Sequence, residues 1–330
     1  GRARVFVKTP SGEEKTLIYL HRGDYVGIIS LLTNEPHSAS VRIMNDSFIL
    51  RIDKKNFDLL LNKIPQFSMK LNESLSRRLK KKESKAVFES AIISVYGLAK
   101  KAGRTMYAVN LAMALAYETR KKVILLDMSH SGNECASMLR MEELKCIDLK
   151  RHSMNYEDAK RLIAKYEAGG ISLLNMGYAE HAKVESTHII SLLSSLASEF
   201  NYIVIDMPAE MDKMEYSLLT QSDLIHIVTD CDENNLRATG KLISELKKGL
   251  RDPDNTVKAI INEFVKTDTF EEEVKLLGHK AYATLPDLGF LAAMVSAGLP
   301  PVLAVPESIY SRSVRRIARE IGKILVGLAL

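Results

Sequence analysis

Ile92-Ile93-Ser94-Val95-Tyr96-Gly97-Leu98-Ala99-Lys100-Lys101-Ala102-Gly103-Arg104-Thr105-Met106-Tyr107-Ala108-Val109-Asn110-Leu111-Ala112 runs from a continuous apolar strand, through a short polar loop, into an apolar helix. Apolar strand-like runs recur on the C-terminal side of it: Val123–Asp127, Ile171–Asn175, Tyr202–Asp206, Leu224–Thr229, Val257–Asn262 and Lys280–Leu285, with Ala91–Tyr96 as the first. Helical stretches separate them, among them Met106–Thr119, Tyr156–Ala168, Thr187–Glu199 and Asn235–Leu250. Strands that read as unbroken apolar runs, alternating with helices, predict an α/β fold with a mostly parallel sheet covered by helices on both faces. No internal repeat or low-complexity tract interrupts the pattern.

The loop and its helix resemble the deviant Walker A motif of the MinD/ParA ATPases, K-G-G-x-G-K-T-T-x-A-x-N-L-A, with Gly103, Thr105 and Asn110-Leu111-Ala112 in register. Further segments follow in the family's order. Val123-Ile124-Leu125-Leu126-Asp127-Met128-Ser129-His130-Ser131-Gly132-Asn133 is similar to V-L-L-I-D-x-D-x-Q-G-N, and Tyr202-Ile203-Val204-Ile205-Asp206-Met207-Pro208 to Y-I-I-I-D-x-P. Ile260-Ile261-Asn262 resembles the strand whose Asn meets the adenine, and Leu285-Pro286-Asp287 and Ala297-Gly298-Leu299-Pro300 resemble the closing segment. The resemblance implies a P-loop fold holding ATP or ADP with Mg²⁺ through Lys100, Lys101, Gly103, Arg104, Thr105, Asp127, Asp206 and Asn262.

The departures bear on chemistry. A phosphate-cradling loop uses glycines so that successive N–H groups turn toward the phosphates. Lys100 and Lys101 stand at those glycines, Ala99 at the family's signature lysine, Arg104 at the phosphate lysine and Ser129 at the second switch aspartate. Phosphoryl transfer rests almost wholly on positioned charge. The expectation is a pseudo-ATPase with no catalytic residue. Nucleotide binding without turnover, or slow turnover with Lys100 or Lys101 replacing the lost lysine, are the alternatives.

Residues 1–75 have another period. Val5-Phe6-Val7 and Thr16–Leu20 read as a hairpin, Ser40–Met44 and Phe48–Ile52 as two more strands, and Phe57–Ile64 and Phe67–Leu79 as helices. Between the strands, Gly23-Asp24-Tyr25-Val26-Gly27-Ile28-Ile29-Ser30-Leu31-Leu32, followed by Pro36-His37-Ser38-Ala39-Ser40-Val41, resembles the phosphate cassette of cyclic-nucleotide-binding domains, F-G-E-L-A-L-L then P-R-A-A-T-V. The resemblance implies a smaller N-terminal β-roll plus helices, present only in its C-terminal part. A chain that opens without Met on strand-like Arg2–Val7 is read as a fragment for the same reason. The family's Glu and Arg fall on Ile28 and His37, while Gly27, Ser38 and Ala39 still fit, so cyclic-nucleotide binding is expected to be weak or absent.

Composition narrows the class. The net charge of +5 lies largely in one run, Arg77–Lys85, within a basic helical linker at 76–88 that precedes the 89–330 domain. No aromatic residues interleave with those charges, which disfavours nucleic acid. Three cysteines with no close pair argue against disulfides or a zinc site and fit a cytoplasmic protein, with no metal centre expected. No apolar run approaches the roughly 18 residues of a spanning helix. His152, His188 and His226 stand singly and read as surface or core residues. The C-terminal Val314, Ile317, Ile321, Ile324, Leu325 and Leu328 share one helix face, with Arg312, Arg315, Arg316, Arg319 and Lys323 on the other. Such a helix either packs on the sheet or lies on an anionic membrane at the inner face. The combined expectation is a homodimeric regulatory or positioning scaffold with an unknown protein partner. Its rival is an ATP-dependent dimerisation switch of the MinD/ParA class under cyclic-nucleotide control.

Overall fold

In the N-terminal part, β1 (Ala3–Lys8) pairs antiparallel with β2 (Glu14–Leu20) on one side and with β3 (Ser40–Ile43) on the other, giving the order β2-β1-β3. One acid ties the three strands. Arg42 donates two 2.7 Å bonds to the Glu14 carboxylate, Arg4 donates to the same group, and both guanidiniums stack on the Phe6 ring at 4.7 and 4.8 Å. The structure is a computed structural model, and it describes residues 1–9, 12–20, 24–33, 35–44, 46–64, 67, 71, 90–99, 101–129, 133–141, 144–147, 156–176, 186–250, 253–264, 274–286, 289 and 291–327. The chain divides into two units, Gly1–Phe88 and Glu89–Leu330.

The smaller unit departs from expectation in one strand and in the start of one helix. Phe48–Ile52 is not a strand, and Phe48, Ile49 and Leu50 are exposed. A strand forms only where a neighbour offers its backbone groups, and none does here among the described residues. The helix predicted over Phe57–Ile64 spans Lys54–Lys63 and starts three residues earlier, because Asp53 accepts the Asn56 N–H at 2.8 Å as N-cap. It buries Phe57 edge-to-face on Phe67, with centroids 6.1 Å apart, and Leu71 is buried too. In the predicted helix Phe67–Leu79, whose Phe67, Leu71, Leu75 and Leu79 recur every four residues, Phe67 packs on Phe57 and Leu71 is buried. Leu75, Leu79 and the linker lie outside the described residues.

In the larger unit, β4 (Ala91–Tyr96), β5 (Val123–Asp127), β6 (Ala164–Tyr166), β7 (Ile171–Asn175), β8 (Tyr202–Asp206), β9 (Leu224–Thr229), β10 (Val257–Phe264) and β11 (Ala281–Pro286) form one sheet. Its order is β11-β10-β9-β4-β8-β5-β7-β6, parallel throughout except for β6. The expected helix Tyr156–Ala168 ends at Leu162 instead. Ala164–Tyr166 then pairs antiparallel with β7 and returns through a turn at Gly169 and Gly170, making an edge strand.

Alternate residues of each strand feed two cores. Ile93, Val95, Leu125, Leu173 and Val204 face the helix Arg104–Thr119 and the C-terminal helix Ile309–Gly327, while Ile92, Ile124, Leu174 and Ile203 face the helices of the opposite side. In the C-terminal helix, Val314, Ile317 and Ile321 are almost completely buried, each burial worth about 1.5–3 kcal/mol. These three residues therefore pack on the sheet, as the first of the two readings has it, while the side chains of Ile324, Leu325 and Leu328 lie outside the described ones. Arg315 joins it to Glu118 at 2.5 Å. No helix of the described residues is long and apolar enough to cross a membrane.

His226 is a core histidine. It is fully buried on β9, its Nδ1 lies 2.8 Å from the Tyr107 hydroxyl, and burial pushes its pKa down to about 3, with Lys258 adding to the shift. A base whose folded pKa is depressed contributes full stability above its unfolded pKa of about 6.5 and loses it as pH falls. Denaturation midpoints should therefore show about 2 kcal/mol lost between pH 8 and pH 5 through this residue. His226→Phe should unfold more easily at pH 8, with the Tyr107 hydroxyl unpartnered, yet show a shallower acid slope. An unchanged slope would remove His226 as its source.

Candidate functional site

The C-terminal ends of β4, β8 and β5 meet beneath the loop that follows β4. That loop is held by close backbone approaches. A Cβ on Gly97 would stand 2.2 Å from the Val228 carbonyl oxygen, and one on Gly103 would stand 2.1 Å from Asn262 Nδ2. Gly103 begins the helix Arg104–Thr119 at φ 77°, and Lys101 takes φ 66°. Lys101, one of the two lysines at expected glycines, thus adopts the left-handed conformation a glycine would take, at about 1–2 kcal/mol of local strain. Lys100 lies outside the described residues. Ala99 is buried, with no charge to offer.

Each remaining side chain of the predicted set has a partner within the domain. Arg104 Nη1 donates to the Gly97 carbonyl at 2.8 Å, and its Nε lies 3.7 Å from Asp206 Oδ1. The guanidinium therefore spans from the first residue of the loop to the end of β8. Thr105 donates its hydroxyl to Glu134 at 3.2 Å. Asp127 accepts three bonds: the Ser129 N–H at 3.0 Å, the Ser129 hydroxyl at 2.5 Å and the Cys135 N–H at 2.7 Å. Ser129 thus points back into the protein and is almost fully buried. Asn262, expected near an adenine, is fully buried and donates to the Ala102 carbonyl at 2.9 Å, so it braces the loop from below. Asn110 links the loop's helix to Pro301–Ala304, donating to the Met106 carbonyl and accepting the Val302 N–H at 3.0 Å.

Asp206 is the perturbed group. Burial pushes its pKa up to about 7; Arg104 and a hydrogen bond from Thr105 oppose the shift, and Asp127 and Glu134 add to it. Two participants escaped the sequence reading. Glu134 and Cys135 open a short helix, Glu134–Met138, and the Cys135 thiol lies 3.7 Å from Asp206 Oδ2. The only sequence signal was their distance from Asp127 along the chain.

In the smaller unit two of the cassette residues, Gly27 and His37, come together. Gly27 has φ 84° and precedes the helix Ile28–Thr33, and His37 Cε1 lies 3.4 Å from where a Gly27 Cβ would be. His37 and Ser38 are exposed, and Gly27, Ile28 and Ala39 are half-buried.

A glycine-supported loop between a central strand and a helix, over carboxylates ending two neighbouring strands, defines a P-loop domain. The family described as an AAA domain matches residues 90–258, just over half of the chain, and the chain belongs to it, as a MinD/ParA-like P-loop protein. Residues 1–63 match the family described as a cyclic nucleotide-binding domain. The septum site-determining protein MinD of Helicobacter pylori is 23% identical over 235 residues, covering 66% of this chain and 87% of that protein. The cAMP-activated global transcriptional regulator CRP of Salmonella typhimurium is 32% identical over 80 residues, which are 24% of this chain and 38% of that protein. The cell division ATPase MinD of Pyrococcus furiosus superposes with a TM-score of 0.60 at 22% identity, over 71% of this chain and 99% of that one. At that identity the likeness is one of fold.

The Asp206 shift sets a pH dependence of opposite sign to that of His226. An acid whose folded pKa is raised contributes most below its unfolded value, 3.8, and that contribution is lost as pH rises through about 7. In buffer free of divalent cations, chemical denaturation should show stability falling by about 4 kcal/mol between pH 4 and pH 8 from this group. Asp206→Asn should abolish that fall. If the variant follows the parent at every pH, Asp206 is not held protonated.

Proposed function

We propose that this chain is a regulatory or positioning scaffold: a MinD/ParA-like domain with little or no ATP hydrolysis, joined to a cyclic-nucleotide module whose ligand binds weakly or not at all. The observation that carries the reading is the Arg104 guanidinium, bonded to the Gly97 carbonyl and paired with Asp206. A triphosphate would have to displace it from both. Thr105, Asp127 and Asp206 are residue types that suit a magnesium ion. The rest of the site does not fit a nucleotide held for hydrolysis, because Ser129 has no carboxylate and turns its hydroxyl onto Asp127, and Ala99 carries no charge.

On this reading ATP or ADP with Mg²⁺ is at most a weak structural ligand. The functional units are 1–75, the basic linker 76–88 and 89–330, assembled as a homodimer that docks an unnamed protein partner in the cytoplasm. The named roles of the relatives, septum-site determination and cell division, support a positioning task. In the cassette, Ile28 and His37 replace the two ionic contacts that the family resemblance implies, which supports a muted input.

ATP hydrolysis by the purified chain should be indistinguishable from background. A rate clearly above background that disappears in Thr105→Ala would overturn the scaffold reading in favour of the active switch. Calorimetry with cyclic AMP and cyclic GMP should give dissociation constants in the high micromolar range or weaker. Ile28→Glu with His37→Arg should tighten them about a hundredfold, since each restores a charge-assisted bond. Tight binding by the unaltered chain would mean that other residues recognise the ligand.

A further inference from the structure

Asp206, Asp127 and Asn175 end three adjacent parallel strands at matched register, with Asp127 opposite both of the others. Matched register on parallel neighbours puts the three side chains on one face of the sheet. Over that row, the Cys135 N–H binds Asp127 Oδ2 at 2.7 Å and its thiol lies 3.7 Å from Asp206 Oδ2. One donor atom each from Asp127, Cys135 and Asp206 lies within 4.8 Å of the other two, and all three residues are buried. Two ligands of one tetrahedral ion, a thiolate at about 2.3 Å and a carboxylate at about 2.1 Å, stand about 3.6 Å apart. The thiol and the Asp206 oxygen already have that spacing.

A second observation points to a missing ligand. Asn175 is 1% exposed, and its amide nitrogen and oxygen are both buried without a hydrogen-bond partner, apart from a weak contact to the Cys146 thiol. Asp206 Oδ1 is likewise buried without a hydrogen-bond partner and lies 3.7 Å from Arg104 Nε, the Thr105 hydroxyl being the other polar group that acts on this carboxyl. Buried polar groups in folded proteins are overwhelmingly satisfied, so a row of unsatisfied ones marks a place where something binds.

We propose that Asp127, Cys135 and Asp206 bind one thiophilic divalent cation of the zinc class, without any nucleotide. The donor set decides the class. Magnesium demands a near-octahedral shell of oxygens, whereas a thiolate beside carboxylates suits a borderline or soft ion. Binding breaks the Cys135 S–H bond, and the Asp206 O–H bond where that carboxyl is protonated, forms metal–sulfur and metal–oxygen bonds in their place, and releases each proton to the buffer. The charges then cancel: two carboxylates and one thiolate against the divalent ion and the Arg104 guanidinium. Arg104 stays in place, because it faces Asp206 Oδ1 while the ion takes Oδ2. The fourth position falls to Asn175, one strand beyond Asp127, or to solvent from the exposed Asn133–Glu134 side. A zinc site was disfavoured in the sequence because no two cysteines are close. Here a single thiol is completed by carboxylates on two other elements. This inference does not depend on the scaffold reading.

The test is titration of the metal-free full chain with Co²⁺, followed by thiolate-to-cobalt charge-transfer absorption in the near ultraviolet. The expected result is one cobalt per chain with proton release, displaced by equimolar Zn²⁺ and untouched by a large excess of Mg²⁺. Cys135→Ser should lose the band, while Cys146→Ser and Cys231→Ser should keep it. Asp206→Asn should weaken cobalt binding by about tenfold or more with the fold intact by circular dichroism, and it tests the site even where Cys135→Ser fails to fold. Absence of stoichiometric cobalt binding, a band that survives Cys135→Ser, Asp206→Asn binding as tightly as the parent, or displacement by Mg²⁺ would each overturn the proposal.

Discussion

Asp127 and Asp206 end neighbouring parallel strands at the same register and are both closed off from water. Two unit charges about 5 Å apart repel by about 3 kcal/mol at an effective dielectric of about 20, and burial adds a desolvation cost to each. Everything around the strand ends answers that constraint. Asp127 receives two backbone N–H groups and a hydroxyl. Asp206 has a guanidinium at ion-pair distance and the Thr105 hydroxyl, and these do not offset its burial, which drives it toward its neutral form. Arg104, Ser129 and Cys135 are placed as they are because the carboxylates need them.

The loop over this pair shows that its shape is set from below and not by glycine content alone. Asn262 holds the Ala102 carbonyl, and Val228 lies against Gly97 so closely that no side chain fits there. With both ends pinned, the middle must turn, and Lys101 turns in the left-handed region despite its Cβ. The strain of about 1–2 kcal/mol is small beside the packing of β9 and β10 that imposes it. A loop of this kind keeps its curve after losing glycines, so the curve says little about phosphate binding. The polar groups inside the curve say more.

How much of this was legible in the sequence follows from the kind of interaction. Central parallel strands are buried on both faces and read as unbroken apolar runs, so the strands from β4 to β10 fell within a residue or two of their observed positions, β6 excepted. The edge strand β6 was hidden inside a helical period, because its three residues are defined by pairing with β7 and not by pattern. Phe48–Ile52 erred the other way, since alternation promises a strand only if a partner exists. At the site, residues on strand ends and in the loop were found because they follow one another in a fixed order. Cys135 was not, because its significance lies in Asp206, far away in the chain, and in a register match that no linear pattern displays. Asn262 is legible as a site residue, but its bond to the Ala102 carbonyl is not, since only the structure brings that carbonyl beside it.

The positions that differ from the resembled motif are not a random sample of the site, and this asymmetry supports the scaffold reading. Asn110 is bonded on both sides, Asn262 braces the loop, Thr105 is tied to Glu134 and Asp127 holds three donors. Each of these serves the fold whether or not a nucleotide is present. At Ala99 and Ser129 the resembled motif has a lysine and a carboxylate whose chemistry is directed at ATP. Ala99 is buried and has no side-chain polar group to satisfy, and Ser129 supplies Asp127 with a donor that an ionised aspartate could not. A second carboxylate at 129 would in fact have faced Asp127 and added repulsion to an already overcharged pair. Once turnover is not required, the same constraint that shapes the strand ends favours serine there.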